Sequence, residues 1–231
     1  MPCRELVRLL APARTGTLSK SSTATKLPVE LAHVTSSRSE LRARLRAERA
    51  ALAPQQRIAA AQTLVDNLEL LPEFLVDTRV AGYWAVGGEM PLLAVLGPLR
   101  ARAQRYHLPV IGDDNTLRFA PWQAGAPVQA NRYGIPEPQE AIELLAPADI
   151  ELVLVPLLGF DRRGNRLGMG AGYYDRSFAF LRDAVRPAQP LLVGIGYHFQ
   201  EVAALDPQPW DVRLDFVATD RELIDCTEQP A

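Results

Sequence analysis

Cysteine is almost missing from this chain: Cys3 and Cys226 lie near opposite ends, and neither sits in a Cys-x-x-Cys pair or a Cys/His cluster. Three histidines add too little to complete a zinc site, and no disulfide framework is available. A reducing, cytoplasmic setting is the expectation. No run of eighteen apolar residues occurs, so no membrane-spanning helix is expected. Runs of basic residues are equally scarce, and the formal net charge is -2. General nucleic-acid binding needs a positive surface to displace phosphate counterions, so that class is set aside. The chain also lacks a Gly-Lys-Ser/Thr, which excludes a P-loop, and offers no poised cysteine or Ser-His-Asp set for nucleophilic catalysis.

What is present is unevenly spread. Residues 1–37 hold five basic side chains against Glu5 and Glu30, so the mild negative charge belongs to the rest. Their Ser, Thr, Pro and Arg bias reads as an N-terminal extension that the folded unit does not need. Organellar targeting by this segment is the alternative for a eukaryotic source. The expected domain runs over 38–225, a short tail over 226–231, and the hydrophobic fraction of 48% is enough for a substantial core. A monomer is expected.

Ser37 followed by Glu40 is a capping-box pattern, and it opens a helix whose Leu41, Leu45 and Leu52 form one apolar stripe among Arg42, Arg44, Arg46, Glu48 and Arg49. Pro54 suits the first turn of a second helix through about Leu70. "RVAGYWAV" (79–86) reads as a strand entering a glycine turn, and Pro91 starts a helix through about Gln104. "HLPVI" and "LRFAPW" read as short strands, and "IELVLVPLLGF" (150–160) as a strand buried on both faces. "GYYDRSFAFLRDA" has helical spacing, and "LLVGIGY" and "LDFVATD" supply two more strands. This alternation predicts a single three-layer α/β/α domain around a mainly parallel sheet. Ligands in such folds gather beyond the carboxyl ends of strands, where "GGE", the 161–175 loop and "HFQ" all fall.

"RLGMGAGYYD" (166–175) concentrates the chemistry. Its glycines let backbone N–H groups approach a ligand, and a helix starting near Gly172 adds its positive end. A dinucleotide fingerprint fits poorly, because an eight-residue polar insertion precedes the glycines and position 188 is Ala. Asp175 is either a helix-terminal carboxylate or, beside a phosphate, a Mg²⁺ ligand, with Asp211 or Asp215 as the second. Tyr173 and Tyr174 are stacking or core aromatics, with one of the two expected to face the core. Trp84 belongs to a strand, and Glu89 is a helix cap or an acceptor for an N–H edge. Arg38 and Arg42, four apart, share a helix face and form either a solvated pair or a phosphate clamp.

"LVPLLGFDRRGNRLGMGAGYYDR", with "RSELR" upstream and "WDVRLDFVATD" downstream, resembles the 5-formyltetrahydrofolate cyclo-ligase family, in the same order from about Arg38 to Leu223. The resemblance implies a three-layer α/β fold and ATP- and Mg²⁺-dependent closure of 5-formyltetrahydrofolate to 5,10-methenyltetrahydrofolate, with release of ADP and phosphate. It implies that Arg38 and Arg42 contact ATP phosphates and that Gly168, Met169, Gly170, Ala171, Gly172, Tyr173, Tyr174 and Asp175 form the nucleotide loop. Asp175 and Asp211 match the Mg²⁺ carboxylates, and Trp84, Glu89, Tyr173 and Tyr133 match the folate pocket. Arg38, Arg42 and Asp175 are the implied catalytic groups. Met169 and Ala171 stand where many members carry basic residues, and Trp210 where His is common; Arg162, Arg163 and Arg166 are candidates for the compensating charge. That loss leaves two alternatives, a paralogue that binds folate or nucleotide without cyclising it, and a small-molecule kinase using the same loop.

Overall fold

The computed structural model describes residues 37–139 and 143–227. Apart from Ser37, the expected extension lies outside them, as do residues 228–231 of the expected tail. The chain begins with α1 (Arg38–Ala51), α2 (Pro54–Leu68), α3 (Pro72–Val76), β1 (Arg79–Ala81), α4 (Leu93–Ala101), β2 (Arg105–Ile111) and β3 (Leu117–Pro121). A hairpin of β4 (Val128–Ala130) and β5 (Pro136–Pro138) follows, then β6 (Leu152–Pro156) and a second hairpin of β7 (Gly159–Phe160) and β8 (Arg166–Leu167). After α5 (Tyr173–Ser177) come β9 (Leu191–Ile195), β10 (Phe216–Ala218) and β11 (Leu223–Asp225).

Seven strands form one sheet in the order β11-β10-β9-β6-β1-β2-β3. The inner pairings are parallel, and only the edge strands β11 and β3 run antiparallel to their neighbours. Burial explains the choice. Along β6, Leu152 and Leu154 join one apolar cluster while Val153 and Val155 join another, so side-chain alternation gives both faces of the sheet to the core. Leu64 and Leu68 of α2, Phe74 of α3 and Leu99 of α4 cover the first face. Phe178, Leu181, Val212 and Leu214 cover the second, with α5 as its short helical component. The α/β class and the mainly parallel sheet follow the sequence expectation.

α1 lies apart from those helices. Its capping box is complete: Ser37 Oγ accepts the Glu40 N–H at 3.2 Å and the Glu40 carboxylate accepts the Ser37 N–H at 2.8 Å. Leu45, fully buried, packs with Leu158, Leu167 and Leu205, which fastens α1 to the β7–β8 hairpin.

Several elements are shorter than their patterns suggest. The 79–86 strand stops at Ala81, although Gly82 still donates to the His107 carbonyl at 3.0 Å; the Tyr106 hydroxyl fills the space that a side chain at position 82 would need, leaving room only for glycine. The 150–160 run divides into β6 and the first strand of a hairpin. The helix expected from Pro91 to Gln104 covers Leu93–Ala101, and the one after Gly172 is a single α-turn followed by a 3₁₀ turn at Ala179–Leu181.

Candidate active site

β1 and β6 are neighbours at the centre of the sheet, and the chain order reverses between them: β2 and β3 extend to one side, β9 and β10 to the other. Strand-connecting segments diverge at such a switch point and open a crevice beyond the carboxyl ends. Here it is a cavity of about 370 Å³. Arg38, Arg42, Trp84, Glu89, Tyr133, Asp211 and the whole of Gly168–Asp175 line it, so the residues that the family resemblance implies share one space.

One wall is charged. Arg38 donates to Asp211 Oδ2 at 3.1 Å and to the Asp206 carbonyl at 2.9 Å, and Arg42 donates through Nε to the Gly168 carbonyl at 2.9 Å. Burial, followed by the neighbouring Arg38 charge, makes the Arg42 guanidinium less basic than usual, against the pull of Asp211. Gly170 and Gly172 adopt positive φ, 105° and 71°, which lets the loop turn tightly into α5. Asp175 accepts Arg166 at 2.5 Å and the Val212 N–H at 3.2 Å on the same oxygen, Oδ1. Asp211 commits Oδ2 to Arg38 and to the Gln208 N–H. Among the described residues, Asp175 Oδ2 and Asp211 Oδ1 have no hydrogen-bond partner. Two carboxylates with one oxygen each to offer fit Mg²⁺, which takes one or two protein carboxylates and fills its shell with water and phosphate oxygens.

The rest of the lining is largely apolar, with Glu89 set among it. Trp84, half-buried, meets Trp122 edge to face at 5.5 Å, and Ile111, Leu117 and Leu157 add aliphatic surface. Glu89 accepts the Val86 N–H at 3.0 Å, and its second oxygen lies 3.9 Å from Arg49. Burial pushes the Glu89 carboxyl up, while the Val86 N–H and Arg49 pull it down; burial prevails. Tyr174 stacks on Phe178 and lies under the Arg166 guanidinium, and burial, then the Glu89 charge, holds its phenol proton tightly.

Tyr173 stands at the mouth instead. Its hydroxyl is 2.7 Å from that of Tyr133 and accepts from Arg132 at 2.7 Å, two bonds that lower its phenol below the ordinary value. Tyr133 reaches this place because Tyr133 and Gly134 turn the β4–β5 hairpin, and Glu137 of β5 ties that hairpin to the sheet by accepting the Ile111 N–H at 3.1 Å.

Other expectations need correction. Asp215 is fully buried, bonded by Arg186 and the Leu192 N–H, and does not line the cavity. "HFQ" also stays outside: Gln200 donates to the Leu157 and Leu158 carbonyls and serves the fold. Arg162 pairs with Glu201 and Glu222, and Arg163 with Asp161, so neither supplies charge to the glycine loop. Arg166 does line the cavity but pairs with Asp175. The guanidiniums beside Met169 and Ala171 are unexpected ones. Arg46 lies 4.0 Å from the Met169 sulfur, and Arg176 bonds the Ala171 carbonyl at 2.9 Å. Arg49, expected around the apolar stripe of α1, is instead buried on it; its i+4 spacing from Leu45 carried that signal.

The fold and cavity define an α/β protein with a lined cavity at the sheet's switch point. Residues 34–220 match the model of the 5-formyltetrahydrofolate cyclo-ligase family, and the chain belongs to that family. It is 30% identical over 183 residues to a 5-formyltetrahydrofolate cyclo-ligase of Haemophilus influenzae, spanning 78% of this chain and 96% of the relative. Among solved structures it resembles a 5,10-methenyltetrahydrofolate synthetase of Aquifex aeolicus, with a TM-score of 0.70 and 30% identity over 84% of this chain and 95% of the other. A 5,10-methenyltetrahydrofolate synthetase of Mycoplasma pneumoniae shares the fold, with a TM-score of 0.63 and 24% identity, covering 80% of this chain and 99% of that one.

Proposed function

We propose that the chain is a 5-formyltetrahydrofolate cyclo-ligase, which uses MgATP to form 5,10-methenyltetrahydrofolate, ADP and phosphate. One observation carries the reading: a charged, glycine-lined surface and a largely apolar surface around the buried Glu89 share one cavity at the switch point. The first suits a triphosphate and the second a flat, N–H-bearing heterocycle.

In this reading ATP phosphorylates the formyl oxygen, which converts a poor leaving group into a good one. The substrate's own N10 then attacks the formyl carbon and loses its proton, and phosphate departs with the former formyl oxygen. Positioning and charge neutralisation are what this asks of the protein. Arg38, Arg42 and the amides of 168–172 hold the phosphates, with Arg46 and Arg176 restoring the positive charge that Met169 and Ala171 do not supply. Bound Mg²⁺ would neutralise phosphate charge, held by Asp175 and Asp211. Glu89 and Trp84 orient the pterin end, and Tyr173 and Tyr133 close the mouth over the substrate. Tyr174, implied with the nucleotide loop, lines the same cavity and stacks on Phe178 beneath the Arg166 guanidinium. We assign the domain to 38–225 together with Cys226, a free thiol buried in its second apolar cluster and so no part of the tail, and read it as a cytoplasmic monomer. Among the described residues no helix is long and apolar enough to cross a membrane.

The test is to mix protein, MgATP and 5-formyltetrahydrofolate and follow methenyl absorbance together with ADP. Stoichiometric methenyl product and ADP are expected. Phosphorylation without methenyl product would replace the reading with a kinase, and tight folate binding without turnover would replace it with a binding paralogue.

A further inference from the structure

Arg49 is 2% exposed, an unusual place for a guanidinium, which is normally buried only with a partner. Its donors face three partners in two segments. Nε bonds the Gly87 carbonyl at 3.1 Å in the turn after β1, and Nη1 reaches the Leu157 carbonyl at 3.5 Å at the end of β6. The same Nη1 lies 3.9 Å from Glu89 Oε1. One side chain of α1 thus spans the ends of the two strands between which the cavity opens. The Gly88 position is tight against the backbone of α1, since a Cβ there would lie 3.2 Å from the Arg49 carbonyl oxygen.

Arg49 itself does not line the cavity; Glu89 does. Of the other groups facing Glu89, Tyr83, Tyr197 and Tyr174 all have phenols raised by burial and carry no charge at working pH. Arg57 of α2 approaches the Gly88 turn, where its guanidinium carbon would lie 3.5 Å from a Cβ, but it forms no ion pair with Glu89. Among the described residues Arg49 is the one cation within 4 Å of the Glu89 carboxylate. We propose that Arg49 is a positioning residue that keeps Glu89 charged and aimed into the cavity, so that Glu89 can accept the N–H edge of the folate. This rests on the cyclo-ligase reading, and the test separates the two.

Wild type, Arg49→Met, Arg49→Lys, Glu89→Gln and the Arg49→Met/Glu89→Gln double variant are compared across about pH 5 to 8, the range in which folded proteins are commonly most stable. Turnover and calorimetric binding of 5-formyltetrahydrofolate are both measured. An opposite charge at this range lowers a carboxyl by about 1 to 3 pH units, so its loss in Arg49→Met moves the acid limb of folate binding upward by at least about one unit, weakening binding about tenfold at the lower pH. Arg49→Lys keeps the limb in place but raises KM for folate, because an ammonium cannot reproduce the guanidinium fork between Gly87 and Leu157. The limb shift disappears when Glu89 is already Gln. An unmoved limb in Arg49→Met, a shift that persists in the double variant, or a selective rise of KM for ATP overturns the assignment. Should Arg49→Met fail to fold, Arg49→Lys decides: an unchanged limb with raised folate KM supports the role, and wild-type values for both overturn it. Absence of methenyl product from wild type would instead sink the cyclo-ligase reading.

Discussion

Asp175 is held on one oxygen only. Arg166 and the Val212 N–H both take Oδ1, so the side chain is fixed without exhausting its capacity to accept. Its charge is balanced locally by Arg166, which also covers the face of Tyr174, so the residue belongs to a packed set and not to a loose loop. In Asp175→Asn the amide oxygen can still accept the Val212 N–H, while the negative charge is lost and Arg166 is left without its counterion. Turnover with MgATP is expected to fall by about 100-fold or more, the scale for removing a group that stabilises developing charge. Because Arg166 is buried and loses its counterion, the melting temperature should also fall while the variant remains folded. Titration with Mg²⁺ checks the assignment: turnover equal to wild type at limiting Mg²⁺ removes Asp175 as a ligand.

α1 shows what an element adds to its residues. Arg38, Arg42 and Arg49 are spaced so that one helix supplies the charged wall at one end and the buried support of Glu89 at the other, with Leu45 fixing the helix between them. Leu45→Ala removes a fully buried side chain, for which about 2–5 kcal/mol of stability is the expected loss. Because Arg38 and Arg42 ride on the same helix, KM for ATP should rise in the folded fraction as well, which chemical denaturation and steady-state kinetics together would reveal. A stability loss with unchanged KM would mean that α1 is held by its arginines and not by Leu45. Much of this was legible in the sequence, since capping, helical spacing and the apolar run of β6 are local properties. The β4–β5 hairpin was not, because three-residue strands with proline at both ends of one show no alternation. The need for glycine at position 82 was also hidden, as it depends on Tyr106, a residue of another strand. Arg49 was misread for a similar reason: a charged residue on an apolar stripe looks solvated until its distant carbonyl partners are known.

At the scale of the molecule, the sheet separates function from fastening. Its carboxyl ends open into the cavity, while its amino ends are drawn together by Glu151. That carboxylate accepts the Thr78 and Arg79 N–H groups at 2.6 and 2.9 Å and the Arg79 guanidinium at 2.9 Å, and the Glu151 carbonyl accepts the Leu191 N–H at 2.8 Å. The starts of β1, β6 and β9 are therefore tied at one residue. Burial raises the Glu151 carboxyl, but the bonds from Arg79 and Thr78 outweigh it and the net displacement is downward. A carboxyl depressed in the folded state stabilises the fold above its ordinary range, and that contribution is lost as pH falls through the folded value. Glu151→Gln keeps the shape and removes the charge, so at pH 7 it should cost about 1–3 kcal/mol, the scale of bonds to a charged group. The difference from wild type should shrink steadily below the ordinary glutamate range, as wild type loses the same charge. Denaturation midpoints of both proteins from neutral to acid pH measure this; a gap that stays constant would show that the charge of Glu151 does not hold the strand ends. Catalysis at neutral pH should be unaffected in the folded variant, because Glu151 lies at the end of the sheet away from the cavity.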